Sequence, residues 1–453
     1  MSIHHAEQEF YELKTEHIIN LPIGADADLF SQILTGYTFG TRHFICKNNA
    51  SSFEITAGNY EYADLCDGEY VLNVTKDGFY IRGTDYASAI RGFMSMLEKI
   101  EYMTDTFYLP CGTIREAPRL SMRSVHLCVF SETSLEFLQK CIRVCAVSKY
   151  THIVLEFWGS LKFDFMKELS WNGAYTKEQL RPLIKEANTL GLEIIPMFNH
   201  LGHASGSRAK YGKHVVLDQN PALHYLFSPD GWVWDFESAE VREIMRNVRA
   251  ELIELCGDGE YFHIGFDEAY VKNNVDKICG YINDINDKLS QAGRRAIMWG
   301  DMMLYAPDDE CCSAPTLEFA NTLRNNLNKN IIIADWHYWE IKPDWQSSAG
   351  FKAAGFDVLC CPWDTLGNAR AAVKTAEMQN QFGIMRTTWH TLNSLGFVTM
   401  AYSGFEAYGA NLAKGNNITE LCAHIATIVR KVSPSGGDYR RAGWSQSEIG
   451  PVV

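Results

Sequence analysis

Eight short apolar runs alternate with amphipathic stretches over most of the chain. The runs occupy 124–130, 152–157, 193–198, 261–266, 295–300, 331–336, 357–363 and 383–389. Each run is apolar on both faces, which is typical of parallel strands covered by helices on both sides. Eight such units predict a (β/α)₈ TIM barrel. A doubly wound open sheet is the alternative, and it is disfavoured because no glycine-rich phosphate loop follows the first strand.

The first 115 residues follow a different pattern. Residues 68–85 alternate apolar and polar positions on both sides of Lys76-Asp77-Gly78, which predicts a β-hairpin. The next stretch, 86–100, has apolar residues at helical spacing. We therefore expect a small α+β domain at 1–115, the barrel at 116–432, and a glycine- and serine-rich tail at 433–453.

Charge and composition exclude several classes of function. The 453 residues carry a formal charge of −14 and no run of Lys or Arg, so a nucleic-acid partner is not expected. No stretch approaches the roughly 18 apolar residues of a membrane span. The N-terminus is polar, without the apolar segment of a secretory signal, and this predicts a cytoplasmic protein.

The cysteines point to the same compartment. There are 13, an odd number, and many lie in apolar runs, which indicates buried reduced thiols. The chain has neither a CxxC pair nor an HExxH motif, so we expect no structural zinc site. The function predicted below needs no metal and no organic cofactor.

Polar and aromatic residues gather where the predicted strands end. Four of the last strands each end on a tryptophan: Trp299, Trp336, Trp363 and Trp389. In a TIM barrel these ends meet at the face that carries the active site. A single tryptophan is most often a core residue, but four in register indicate an aromatic wall. Flat apolar faces with polar groups between them suit a sugar ring.

The fourth run ends in two adjacent acids, Asp267 and Glu268, within YFHIGFDEAY (261–270). They could be two solvated residues of a turn. They could also be catalytic, because glycoside hydrolysis commonly uses two carboxyl groups. Neighbouring residues cannot flank a glycosidic bond, but in substrate-assisted hydrolysis the 2-acetamido oxygen of the sugar is the nucleophile. One acid then protonates the leaving oxygen and the other holds the acetamido N–H.

HIGFDEAY (263–270) resembles the H-x-G-G-D-E signature of family 20 glycoside hydrolases, the β-N-acetylhexosaminidases. The hairpin-and-helix segment 68–100 and the segment 175–206 are also similar to that family. The resemblance implies Glu268 as general acid and Asp267 as the group that orients the acetamido function. It further implies a set of sugar-binding and supporting residues: Arg123, His203, His263, Trp299, Trp336 and Trp389.

The sequence also departs from the family pattern. Phe266 replaces the second glycine of the signature, and Cys128 replaces an aspartate of the first strand. Trp363 stands where a tyrosine is expected, and His390 where a glutamate would contact sugar hydroxyls. We keep Trp363 and His390 as substrate-binding candidates. Strand two offers Glu156, Trp158 and Asp164 in place of the family residues.

The predicted function is therefore an exo-acting retaining hydrolase that removes terminal β-linked N-acetylglucosamine or N-acetylgalactosamine from an oligosaccharide or glycoconjugate. Two alternatives remain, namely a β-glycosidase of the same fold with another sugar specificity, and a catalytically silent carbohydrate-binding protein. We expect no membrane partner, and a homodimer is a further possibility.

Overall fold

The computed structural model describes most of the chain. The described residues are 9–22, 24–50, 54–57, 64–130, 133–204, 217, 220–271, 274–306, 311–392, 396–410 and 418–434. The predicted tail at 433–453 therefore lies almost wholly outside them.

The N-terminal region contains two sheets. Its strands are β1 (Phe10–Leu13), β2 (Glu16–Pro22), β3 (His43–Ala50), β4 (Glu54–Ala57), β5 (Tyr70–Thr75), β6 (Gly78–Gly83), β7 (Glu101–Met103), β8 (Thr106–Pro110) and β9 (Gly112–Glu116). One sheet has the order β1-β8-β7 and the other β3-β2-β4-β6-β5-β9. The predicted hairpin is β5–β6, which is antiparallel with Thr75 opposite Gly78.

The next eight strands form a closed parallel barrel. They are β10 (Met122–Cys128), β11 (His152–Glu156), β12 (Glu193–Met197), β13 (Tyr261–His263), β14 (Arg295–Trp299), β15 (Ile332–Trp336), β16 (Asp357–Cys361) and β17 (Gly383–Thr387). Their order around the barrel is their order in the chain, and β17 pairs with β10. The structure confirms the predicted TIM barrel, and every barrel strand overlaps the apolar run that predicted it.

Helices cover the N-terminal sheet and the outside of the barrel. They are α1 (Ala27–Tyr37), α2 (Tyr86–Glu98), α3 (Leu135–Val147), α4 (Lys177–Thr189), α5 (Ala239–Cys256), α6 (Val275–Gln291), α7 (Leu317–Asn326), α8 (Gln346–Ala353), α9 (Leu366–Met378), α10 (Phe397–Tyr408) and α11 (Ile418–Lys431). Several begin at a side-chain cap, as α4 does, where Thr176 and Gln179 form a reciprocal capping box. These caps satisfy the N–H groups that a helix start leaves without partners.

Two expectations from composition can be compared with the structure. None of the thirteen cysteines, all of which are described, forms a disulfide. Among the described helices, none combines the length and the apolarity needed to cross a membrane.

Candidate active site

The C-terminal ends of the barrel strands open into a cavity of about 1230 Å³. Six of the predicted site residues line it: His203, Asp267, Glu268, Trp336, Trp363 and Trp389. This is the face where TIM-barrel enzymes carry their active sites. The cavity is therefore the candidate active site.

A strained turn brings the acid pair to the cavity. After β13 the backbone has positive φ at Gly265 (76°), Phe266 (78°), Glu268 (42°) and Tyr270 (52°). Non-glycine residues occupy this region at a cost of about 1–3 kcal/mol, and such strain is concentrated at functional sites. Gly265 has no substitute here, because a Cβ would lie 2.0 Å from Asn199 Oδ1. The turn places both Asp267 and Glu268 on the cavity wall.

His203 joins the two acids. Its Nε2 lies 3.0 Å from Glu268 Oε2 and 3.3 Å from Asp267 Oδ2. The loop after β12 can approach this closely because residue 202 is a glycine. A Cβ on Gly202 would lie 2.2 Å from the carbonyl oxygen of Asp267. His203 therefore contacts both acids, and this contact depends on the close approach of the Gly202 backbone to the carbonyl oxygen of Asp267.

Burial and charge together set the protonation of this trio. Burial raises the pKa of Asp267 to about 7, and the nearby Asp301 and Glu268 add to the rise while His203 opposes it. Burial lowers the pKa of His203, but the carboxylates of Asp267 and Glu268 outweigh that effect and raise it to about 9. His203 is therefore a cation at neutral pH, and it stabilises the ionised form of Asp267.

Asp267 retains one unused acceptor. Its side chain is only 7% exposed, and Oδ1 has no hydrogen-bond partner among the described residues. A buried oxygen without a partner costs free energy unless a ligand satisfies it. Asp267 is thus prepared to accept a hydrogen bond from a molecule in the cavity.

Three neighbours hold Glu268 in place. Tyr270 donates its hydroxyl to Oε1 at 3.0 Å, and Trp232 donates Nε1 to the backbone oxygen at 2.7 Å. The backbone N–H of Glu268 donates to Asp301 Oδ2 at 2.9 Å. The Glu268 side chain is 28% exposed and lines the cavity.

Asp301 has a second role, because it also accepts a hydrogen bond from Trp336 Nε1 at 3.4 Å. It therefore connects the acid to the aromatic wall. Burial raises the pKa of Asp301 to about 6.

The aromatic wall contains three of the four predicted tryptophans. Trp336, Trp363 and Trp389 line the cavity, and Tyr338 lies between them. The Tyr338 ring is stacked on Trp336 with centroids 4.9 Å apart, and its hydroxyl accepts from Trp389 Nε1 at 2.8 Å. These contacts fix the ring planes before any ligand binds, which lowers the entropy cost of binding.

Two predicted contacts lie below the cavity instead of on its wall. Trp299 is fully buried, and its ring lies 5.7 Å from that of Trp389. His263 is also fully buried, with its ring 4.7 Å from Trp299. Burial, with His126 and His200 nearby, holds the pKa of His263 well below its ordinary value, so the ring is neutral. Neither residue lines the cavity, so Trp299 is not part of its wall, and both residues support Trp389 from beneath.

The prediction for Arg123 is also wrong. It is the second residue of β10, and so lies at the end of the barrel opposite the cavity. The buried guanidinium donates to the carbonyl oxygens of Lys149 (2.7 Å) and Leu120 (2.5 Å) and stacks over the Tyr408 ring at 5.1 Å. The position of Arg123 at the start of a strand, and not its charge, indicated which end of the barrel it occupies. The side chain of His390 lies outside the described residues.

A buried polar cluster lies in the barrel interior near Trp389, and we call it the His126 cluster: His126, Cys128, Glu156 and Asn199. Glu156 accepts from His126 Nε2 (2.9 Å), Cys128 Sγ (3.2 Å) and Asn199 Nδ2 (2.7 Å). The ligand atoms of the first three lie within 4.8 Å of one another, so they could hold a metal ion. However, these hydrogen bonds already satisfy the carboxylate without one.

The other strand-two candidate, Asp164, does not reach the cavity. Its side chain is 78% exposed and pairs with Lys177 at 2.7 Å. Glu156 belongs to the His126 cluster and does not line the cavity, and the side chain of Trp158 lies outside the described residues. The family residues of strand two therefore have no replacement here on the described part of the cavity wall.

Sequence reasoning missed seven aromatic residues that line the cavity: Phe227, Trp232, Trp234, Phe236, Tyr270, Tyr338 and Trp339. Tyr338 and Trp339 follow Trp336 directly in ADWHYWE (334–340), so a longer view of that strand end could have found them. Tyr270 follows the acid pair by two residues. Trp232 belongs to the long connection after β12, where strand position gives no signal.

A barrel with an acid pair in an aromatic cavity at its C-terminal face is the arrangement of a carbohydrate-active enzyme. Residues 145–380, just over half of the chain, match the sequence model described as "Glycosyl hydrolase family 20, catalytic domain". The chain belongs to glycosyl hydrolase family 20.

Among curated proteins, the chain is similar to lacto-N-biosidase of Bifidobacterium bifidum, with 22% identity over 307 residues. That match covers 62% of this chain and 25% of the other. It is also 22% identical over 303 residues to the probable beta-hexosaminidase fdl of Drosophila melanogaster, covering 60% and 44% of the two chains. The matches thus span a quarter of the length of the first relative and less than half of the length of the second.

Solved structures share the fold at lower identity. A family 20 β-N-acetylhexosaminidase of Streptomyces coelicolor superposes with a TM-score of 0.67 at 15% identity, covering 97% of this chain and 96% of that one. A chitobiase of Flavobacterium johnsoniae gives 0.67 at 16%, covering 93% and 70%. The likeness extends beyond the barrel, because these alignments cover nearly all of this chain.

Proposed function

We propose that the protein is an exo-acting, retaining β-N-acetylhexosaminidase that removes terminal N-acetylglucosamine or N-acetylgalactosamine by substrate-assisted catalysis. One observation carries the proposal. Asp267 and Glu268 both border one aromatic cavity, and Asp267 Oδ1 is buried there without a partner. The acetamido N–H of a bound hexosamine is a donor that could satisfy this oxygen.

In the first step the protonated Glu268 donates its proton to the bridging oxygen. The acetamido carbonyl oxygen attacks the anomeric carbon as the bond to the leaving oxygen breaks, and Asp267 holds the acetamido N–H. In the second step the Glu268 carboxylate takes a proton from water. The water oxygen attacks the anomeric carbon and opens the cyclised intermediate, so the β-configuration is retained.

The other residues of the site support these steps. His203 places one positive charge beside both carboxylates, and Tyr270 and Asp301 fix the position of Glu268. The tryptophans Trp336, Trp363 and Trp389 offer faces for the apolar side of the ring. The family membership and the curated relatives named for hexosaminidase activity support the same choice of substrate.

Hydrolysis of chromogenic β-N-acetylglucosaminide and β-N-acetylgalactosaminide, compared with the plain glucoside and galactoside, tests the proposal. We expect cleavage only of the acetamido sugars, and a loss of about 10²–10⁴-fold in kcat for Glu268→Gln. Cleavage of the plain glycosides at equal rates would instead indicate a different sugar specificity. Sugar binding without cleavage of any of the four would indicate a binding protein.

The thiol content supports a reducing compartment, so we place the protein in the cytoplasm within the same proposal. Cell fractionation tests this. The oligomeric state is a separate matter, and sedimentation of the purified protein tests the proposed homodimer.

A further inference from the structure

Two separate strand ends carry most of the aromatic wall. Trp336 ends β15 and Tyr338 lies two residues further on, whereas Trp363 follows β16 by two residues. The rings of Tyr338 and Trp363 lie 5.5 Å apart and are tilted by 59°. Segments that follow barrel strands are loops, which are generally more mobile than the strands. A fixed distance between these two rings therefore needs a group that connects the two segments.

The side chain of Asn368 makes this connection. Its Oδ1 accepts a hydrogen bond from the backbone N–H of Trp363 at 2.8 Å. Its Nδ2 donates to the carbonyl oxygens of His337 and Glu340, both at 2.6 Å. A side-chain amide has two N–H donors and one carbonyl acceptor. Asn368 uses all three on the segments that carry the wall.

The helix that carries Asn368 does not need these hydrogen bonds. Asn368 lies in the first turn of α9, and Thr365 already caps this helix, because its Oγ1 accepts the Asn368 backbone N–H at 3.2 Å. Asparagine is one of the weaker helix formers, and here it is fully buried. The two segments of the wall, and not the helix, therefore explain an asparagine at this position.

The contacts of Asn368 extend to the whole wall. Its amide closes the turn 337–340, because it bonds the carbonyl oxygens at both ends of that turn. Tyr338 lies inside the turn, stacks on Trp336 and accepts a hydrogen bond from Trp389. A change at Asn368 would therefore reach these rings, although Asn368 bonds only backbone atoms of the wall and is not among the residues that line the cavity.

We propose that Asn368 is a positioning residue that sets the geometry of the aromatic wall and, through it, the affinity for the sugar ring that stacks there. The inference rests on the proposed function, since it takes the wall as the surface that binds the sugar. The wall contacts the apolar side of the ring both before and during the reaction, so it contributes uniform binding. Loss of uniform binding raises KM and leaves kcat unchanged.

Steady-state hydrolysis of a chromogenic β-N-acetylglucosaminide by Asn368→Ala tests the effect on the sugar. We expect KM to rise about tenfold, which corresponds to the loss of about one ring-stacking contact, with kcat within about threefold of the wild type. Asn368→Asp keeps the size of the side chain and the acceptor for the Trp363 N–H, but it removes both donors. It should also raise KM, and it supplies the readouts if Asn368→Ala does not fold.

Fluorine NMR of the protein labelled with 5-fluorotryptophan tests the wall itself, without any sugar. Single Trp→Phe variants assign the signals. Those of Trp336 and Trp363 should shift in Asn368→Ala, and in Asn368→Asp the signal of Trp336 should shift more than that of Trp363. The signal of Trp234 should stay in place, because that buried indole bonds the carbonyl oxygen of Asn199 and not the wall.

Asn48 provides the matched control. Its Nδ2 also donates to two backbone carbonyl oxygens, those of Pro22 (2.9 Å) and Ala25 (2.8 Å), but it belongs to the N-terminal sheet. Asn48→Ala should change neither KM nor the signals of the wall tryptophans.

Three outcomes would overturn the inference. They are an unchanged KM in a folded Asn368 variant, unchanged signals of Trp336 and Trp363, or a fall in kcat at constant KM. A variant that only melts at a lower temperature, with normal kinetics and normal signals, would show a role in stability alone. Failure of the proposed function is recognised separately, because the wild type would then cleave no acetamido glycoside, while the fluorine signals would still decide whether Asn368 positions the wall.

Discussion

Replacement of Asp267 by asparagine is the sharpest test of the assigned chemistry. The substitution keeps the size of the side chain and removes its charge. In the structure, Oδ2 lies 3.3 Å from His203 Nε2, and Oδ1 has no partner among the described residues. Asparagine can still accept one hydrogen bond, but it cannot stabilise the positive charge that develops on the acetamido group during attack.

The expected loss can be worked from these contacts. Hydrogen bonds to a charged group contribute about 1.5–3 kcal/mol, and removal of one preorganised stabilising group from an active site costs about 10²–10³-fold in kcat. Because this interaction strengthens in the transition state, the loss should fall on kcat more than on KM. We therefore expect Asp267→Asn to lower kcat by about 10²–10³-fold and to change KM by less than about threefold.

The pH dependence gives an independent readout of the same residue. Since burial raises the pKa of Asp267 to about 7, the carboxyl group gains a proton as the pH falls through that value. The protonated form, like asparagine, lacks the negative charge that stabilises the positive charge developing on the acetamido group, so kcat/KM of the wild type should fall below pH 7. An ordinary aspartate would stay ionised down to about pH 4. In Asp267→Asn this acidic limb should disappear, because asparagine does not titrate.

The assay is steady-state hydrolysis of a chromogenic β-N-acetylglucosaminide from pH 4 to pH 9. Asp364→Asn is the matched control, since Asp364 also follows a barrel strand but does not line the cavity and instead bonds Arg386. A variant that keeps kcat within tenfold, or one that keeps the acidic limb, would refute the role given to Asp267.

Three further predictions concern residues around the site. Arg123→Met should lower the free energy of unfolding by about 1–3 kcal/mol, because it leaves buried carbonyl oxygens without a hydrogen-bond donor. The variant should leave KM unchanged. A raised KM with an unchanged free energy of unfolding would instead support a sugar-binding role for Arg123. Tyr338→Phe removes the acceptor of Trp389 Nε1, so kcat/KM should fall about tenfold with little effect on the pH profile. EDTA should change neither activity nor melting temperature, because hydrogen bonds already satisfy the Glu156 carboxylate of the His126 cluster. A loss of activity that zinc restores would show a metal site there.

The fold was predictable from sequence because its signal is long and repeated. Eight apolar runs with helical stretches between them leave few topologies, and the parallel crossover rule removes most of those. Local cues such as the Asp85 and Thr176 caps agree with the same elements. Agreement between local and global signals is what allows a fold to be predicted from its sequence.

The site was predictable only in part, because strand ends give position along the barrel axis but not radial depth. Trp299 ends β14 and Trp389 follows β17 by two residues, yet Trp299 is fully buried below the cavity while Trp389 lines it. Arg123 was assigned by likeness of a short motif, although its place at the start of a strand already put it at the far end. Trp232 comes from a long connection, and no periodic pattern indicates where such a segment folds back.

The departure at Phe266 can be understood from the same backbone. Its φ of 78° is a conformation that glycine adopts freely, which explains a glycine at this position of the family signature. A side chain there costs about 1–2 kcal/mol. The Phe266 ring is fully buried and packs against Tyr281 with centroids 5.9 Å apart, and burial of a phenylalanine stabilises by about 1.5–3 kcal/mol. The two effects roughly offset each other, so the turn that presents Asp267 and Glu268 survives the loss of the glycine.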